Sequence, residues 1–213
     1  MDIILSNGKN YKLIQKIKNK GFVSITTITK GRNAFGIVGK NVNEISSNDR
    51  VSLDQFELRC KYEEIRYVSK NQILKNTKIV ENWKIFISKG NGGAGILTDD
   101  KAVAILGKPF IGKPFSACTD SLIPIGSFQT EYEAQSLLNY IKSKFFRYIV
   151  GLLKVSQNVY QNVYKFVPLQ DFTEKSDIDW NKSIAEIDRQ LYNKYNLTEE
   201  EVGFIEKMIK PMD

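Results

Sequence analysis

The sequence has no histidine, two cysteines and five prolines among its 213 residues. Without histidine the commonest general base and the commonest metal ligand are gone. Cys60 and Cys118 lie far apart, and two thiols make neither a disulfide framework nor a thiolate metal site. No apolar run reaches the roughly 18 residues of a membrane helix, and no signal-peptide pattern opens the chain. These absences predict a cytoplasmic protein with no metal and no membrane partner. Any chemistry would rest on carboxylates, lysines, tyrosines or the two thiols.

What is present is ordinary for a globular chain, at 42% hydrophobic and 26% charged residues. The charge, however, is unevenly spread. Residues 1–170 hold 25 Lys/Arg against 13 Asp/Glu, whereas 171–213 hold 6 against 11. A basic body carrying an acidic tail points to a polyanionic partner, most often nucleic acid.

Residues 10–20 (NYKLIQKIKNK) read as a short basic amphipathic helix ended by Gly21. Residues 22–29 fit strand or helix. Strands are expected at 56–61, 65–68, 83–88, 102–106 and 121–128, with a short helix over NQILKN. One long helix is expected over 130–154. Thr130 and Glu133 form a capping box at its start, and an apolar stripe runs from Ala134 through Ile141, Phe145 and Tyr148 to Leu152. QNVYQNVY, 157–164, adds a turn or two. Two tail helices follow, at about 181–194 and from Thr198 to before Pro211. The fold class is therefore α+β: a mixed, mainly antiparallel sheet packed on the long helix, with a C-terminal helical appendage. Residues 1–172 form the body, and 173–213 an acidic tail packing on it or on a partner domain.

GNGGAG, Gly90–Gly95, matches the dinucleotide fingerprint literally, but ILTDDKAVAIL after it is no helix start and no acid stands at the required distance. Asp99-Asp100-Lys101 reads as a charged turn. No two prolines are adjacent, so the Asn/Asp-Pro-Pro-aromatic motif of exocyclic-amine methyltransferases is missing. The segment Thr29–Lys40 is a loop with three glycines. It fits both a base-reading loop and a solvated loop anchored by Phe35, and the two are compatible. Candidate base readers are Arg32, Asn33, Lys89, Asn91 and Lys113. Candidate phosphate contacts are Lys30, Lys40, Lys108, Lys154, Gln157, Asn158 and Lys165.

Tyr140–Phe172 (YIKSKFFRYIVGLLKVSQNVYQNVYKFVPLQDF), then LYNKYNLTEEEVGFIEKMIKPM, resembles the C-terminal end of restriction–modification adenine-specific DNA methyltransferases. The Phe35–Ile37 FGI element and DSLIPIGSFQTEYEA extend the likeness over most of the chain, loosely so at 41–110. A more distant likeness is to type I specificity subunits. The resemblance implies a DNA target-recognition module without its engine. S-adenosylmethionine and the catalytic motif would belong to a catalytic domain joined in cis or in trans, and double-stranded DNA would be the target. This chain would hold no cofactor and no catalytic residue. The rival expectation is a protein-interaction scaffold with an acidic docking tail. Under the first reading, titration of the chain with S-adenosylmethionine gives no heat of binding. A micromolar isotherm would contradict it.

Overall fold

The computed structural model describes residues 8–90, 97, 101–154 and 158–212. It is an α+β fold with two sheets. Helix α1, Gly8–Lys18, buries Leu13, Ile14 and Ile17 and leaves Lys12 and Lys18 outside, as its periodicity predicts. Short helices α2 (Val42–Ile45) and α3 (Thr77–Val80) lie in the loops around the first sheet. That sheet orders β1 (Ser46–Ser47), β3 (Ile65–Ser69), β2 (Gln55–Arg59) and β6 (Ser116–Cys118), with β2 and β6 parallel. The second orders β5 (Phe110–Gly112), β4 (Trp83–Ser88) and β7 (Leu122–Phe128), all antiparallel. The strand expected at 102–106 does not form; Val103 makes an isolated parallel bridge to Ile209.

Strand β4 joins two cores because its side chains alternate between faces. Ile85 and Ile87 enter the main core with the helices, while Phe86 enters a second core with Leu58, Val68 and Ala117. The second core also takes Phe35 and Ile37 from the loop after residue 30. Gly36 turns there at φ +82°, and a side chain on it would start 3.0 Å from Leu74 Cβ.

The long apolar run does not form one helix. It divides into α4, Glu131–Lys142, which lies on the second sheet, and α5, Lys144–Gly151. Ser143 leaves helical geometry (φ −62°, ψ 148°) and its Oγ accepts from the Phe146 N–H to cap α5. Ile141, Phe145, Tyr148 and Leu152 are buried on both sides of the break, so the stripe hides it. The chain then closes the core as the apolar segment predicts. Val167 O accepts from Ile25 N–H at 2.9 Å, Leu169 N–H donates to Val23 O at 2.7 Å, and Pro168, with no N–H to lose, sits between them.

Helices α6 (Ile184–Lys194) and α7 (Glu199–Met208) start on capping boxes, Ser183 with Glu186 and Thr198 with Glu201. Their Ile187, Leu191, Ile205 and Met208 belong to the main core, with Trp180 ahead of them. The C-terminal segment also fixes the break in the long run. Buried Asp188 accepts from the N–H groups of Lys144 (3.0 Å) and Phe145 (2.9 Å). Fully buried Arg147 donates to the Lys142 and Ser143 carbonyls and, at 2.6 Å, to Lys210 O. Burial lifts the Asp188 carboxyl to about 6, against the pull of the two N–H groups.

Asp188→Ala leaves two buried N–H groups at the start of α5 without an acceptor. It is expected to destabilise the fold by about 2–4 kcal/mol, while Glu199→Ala at an exposed position stays within about 0.5 kcal/mol. Chemical denaturation of both variants checks this, and equal midpoints would remove Asp188 from its structural role.

Candidate functional site

The C-terminal end of β4 gathers four loops. Lys89 follows the strand, and its N–H donates to Ser121 O at 3.0 Å while its own carbonyl accepts from Val159 N–H at 2.7 Å. The β6–β7 turn supplies Asp120, whose N–H donates to Ile37 O at 3.0 Å. Gln161 donates to the carbonyls of Thr26 and Thr29, holding the chain just before Lys30. Gly90 pairs with Asn158. The positions are therefore fixed by backbone bonds together with the Gln161 amide.

Asp120 is the hub. Its side chain is 10% exposed and takes Arg32 Nη2 at 3.1 Å and Lys89 Nζ at 3.0 Å on one oxygen. The other oxygen accepts the Gly39 N–H at 2.9 Å. Burial works to raise this carboxyl, but the Gly39 N–H, Lys89 and Arg32 outweigh it and hold it at about 2. One carboxylate thus serves two cations, and the cluster keeps an excess positive charge. The Arg32 side chain remains 58% exposed, and its Nη1 makes no hydrogen bond among the described residues.

The sequence-predicted residues distribute unevenly about this hub. Lys40 is exposed beside Gly39, and Lys30 is half-buried with its N–H on Pro124 O. Lys108 is exposed at the same end of β4, because β5 runs antiparallel and pairs Phe110 with Phe86. Asn158 is exposed beside Gly90. Arg32, Lys40, Lys89, Lys108 and Asn158 are therefore brought together.

Others are not. Lys113 follows Gly112, the partner of Lys84, at the other end of β4, roughly 17 Å away at the usual rise per strand residue. Its carbonyl holds the buried Lys84 ammonium at 3.1 Å. Asn33 stands at φ 58° with its Oδ1 buried and unpaired among the described residues, so it shapes a turn rather than offering a base-reading edge. Lys154 is fully buried, and that burial lowers its pKa; an ammonium there does not face a phosphate at the surface. Lys165 is exposed but lies over the Phe166 ring at 5.6 Å, on the turn after Gln161–Tyr164. Asn91 and Gln157 lie outside the described residues.

Asp120 itself was missed. A lone acid in a basic neighbourhood was its only signal, and nothing local ties it to Arg32 across 88 residues. The thiols offer no nucleophile at neutral pH. Burial and Glu64 push Cys60 to about 11, and burial pushes Cys118 higher still. Among the described residues no three Cys, Asp or Glu side chains converge as metal ligands. What the site can do chemically is hold an anion with oriented cations.

Compared with known proteins, the chain matches no family model and no curated protein sequence.

The folded Asp120 carboxyl sits below the usual value of about 3.9, so its stabilisation is complete above that pH and is lost as pH falls towards 2. Asp120→Asn keeps an acceptor for Gly39 but removes the charge. It is expected to be less stable by about 1–2 kcal/mol at pH 7, with the gap closing between pH 4 and 2. A gap independent of pH in urea titrations would mean that the charge contributes nothing.

Proposed function

We propose that this chain is a sequence-specific DNA-binding module, the target-recognition part of an adenine-specific DNA methyltransferase or of a fused restriction enzyme. The observation that carries the reading is the end of β4, where Arg32 and Lys89 share the Asp120 carboxylate and the exposed Lys40 and Lys108 stand at the same end of the strand. A cation held by Asp120 is pre-oriented, and orientation is what a base reader needs. Arg32 is then the base reader, with a fork suited to the O6 and N7 edge of guanine. Lys40 and Lys108, exposed and without ion pairs among the described residues, contact phosphates and fix the register. Base extrusion and methyl transfer would belong to a catalytic domain that binds S-adenosylmethionine, which the likeness in sequence supplies as partner.

The acidic tail has less to offer a basic protein partner than its charge suggests. Glu201, Glu206 and Asp177 already hold Lys16 (2.6 Å), Lys144 (2.5 Å) and Lys194 (2.7 Å). The scaffold reading therefore draws no support from it.

Reconstituted with its catalytic domain and a library of randomised sites, Arg32→Ala is expected to relax preference at one base pair, worth about 1–3 kcal/mol of discrimination. Lys40→Ala should weaken all sequences alike and flatten the log–log salt dependence by about 0.9. Unchanged preference in Arg32→Ala, together with an unchanged salt slope in Lys40→Ala, would refute the reading.

A further inference from the structure

Beside the Asp120 cluster, at the same end of β4, a cavity of about 260 Å³ opens to solvent. Its walls combine two aromatic rings, two lysines and two serine hydroxyls: Tyr62, Phe110, Lys61, Lys108, Ser88 and Ser121. The rings meet edge to face, with centroids 5.2 Å apart and planes at 90°. Phe110 is itself braced by Phe86 at 5.6 Å and by the Arg59 guanidinium 4.7 Å from its centroid. Tyr62 therefore has a fixed support on one side, while 43% of it remains exposed.

The cations of this cavity are available. Lys108 has no ion pair among the described residues, and Lys61 is 79% exposed with a single partner, Glu64, at 3.3 Å. A pair that exposed competes weakly with a bound anion. The Ser121 hydroxyl makes no hydrogen bond among the described residues, and its carbonyl is held by the Lys89 N–H. Among the described residues no carboxylate lines the cavity, so a cationic ligand would meet two lysines and no counter-charge there. A purely apolar ligand would leave both ammonium groups unused. An aromatic platform with an anion clamp beside it fits a flat heterocycle carrying a phosphate. The volume lies just under the range of drug-sized pockets, which suits one nucleotide and no more.

We propose that this cavity binds a single unstacked nucleotide, with its base on the Tyr62 ring and its phosphate on Lys61 and Lys108. The proposal rests on the DNA-binding reading only for the source of that nucleotide, a strand whose base is already unpaired. Stacking on an aromatic face tolerates any base, since each has a π-face, so the cavity adds affinity for distorted or single-stranded DNA without sequence preference. Duplex DNA gains less, because its base must first leave the stack.

The test uses the full chain with oligonucleotides carrying 2-aminopurine, single-stranded or opposite a mismatch, and the matched duplex. Stacking on Tyr62 should quench the probe in the first two. Tyr62→Ala should abolish the quench and weaken single-strand binding roughly tenfold, whereas Tyr62→Phe keeps both. Lys108→Ala should keep the quench at saturation and flatten the salt slope by about 0.7. Adenosine monophosphate and inorganic phosphate serve as competitors. Displacement by the mononucleotide at equal concentration of nucleotides would overturn the strand as source, and equal displacement by phosphate would overturn the base platform. A quench that survives in Tyr62→Ala would overturn the site. Loss of the quench with intact matched-duplex binding confirms the cavity and leaves duplex recognition elsewhere. Absence of duplex binding beside an intact, Tyr62-dependent quench supports the cavity while sinking the duplex-recognition reading.

Discussion

A helix broken inside a core strands peptide groups where water cannot reach them, and each must find a partner. The break at Ser143 meets that constraint from both directions. Arg147 takes the carbonyls left at the end of α4, while Ser143 and Asp188 take the N–H groups at the start of α5. Neither Arg147 nor Asp188 acts within its own turn alone: one reaches Lys210 beyond α7, and the other comes from α6. The C-terminal helices are thus a condition for the geometry of α4 and α5. The sheet that α4 covers inherits its position from that arrangement.

Strand β4 carries the consequence to the candidate site. One face follows the helices through Ile85 and Ile87, and the other follows the second core through Phe86. Its end is where the two cores meet the loops, so a side chain there is oriented by both. Asp120 occupies the turn that links β6 of the first sheet to β7 of the second. Its bonds to Gly39, Arg32 and Lys89 tie the loop of the second core to the strand of the first. The same end holds Tyr62 and Phe110, and both arise from strands or turns fixed by sheet pairing.

Where a signal is local, the sequence shows it. The Thr130 and Thr198 capping boxes need only residues three apart, and both form. The run WKIFIS is bounded, rich in β-branched and aromatic residues, and is β4. The break at Ser143 escapes because the apolar stripe that buries α4 continues through α5, and Asp188, which takes the first N–H groups of α5, lies more than forty residues away. Charge fails as a guide for a related reason. Lys154 and Lys84 have the composition of surface residues, yet both are fully buried, and Lys84 is held by the carbonyls of Val80, Asn82 and Lys113. A list of cations from sequence therefore mixes those that face water with those that pin the backbone. Asn33 misled in the same way, since the amide that could read a base instead shapes a turn at φ 58°.

The split between a basic body and an acidic tail then acquires a physical meaning. Among the described residues four tail carboxylates are committed to pairs: Glu201 and Glu206 neutralise body lysines on α1 and α5, and Asp177 and Asp179 neutralise Lys194 and Lys182 within the tail itself. These contacts fasten the tail and remove charge from the helical part of the molecule. At the end of β4 the balance differs, with a single buried carboxylate between Arg32 and Lys89 and with Lys40 and Lys108 exposed around it. Net charge alone would describe a diffuse attraction to polyanions. At the end of β4 the pairing adds orientation to it, because one buried carboxylate holds two cations where the backbone fixes the loops. A cation held on a rigid edge presents its donors in one direction, which a freely rotating surface lysine does not.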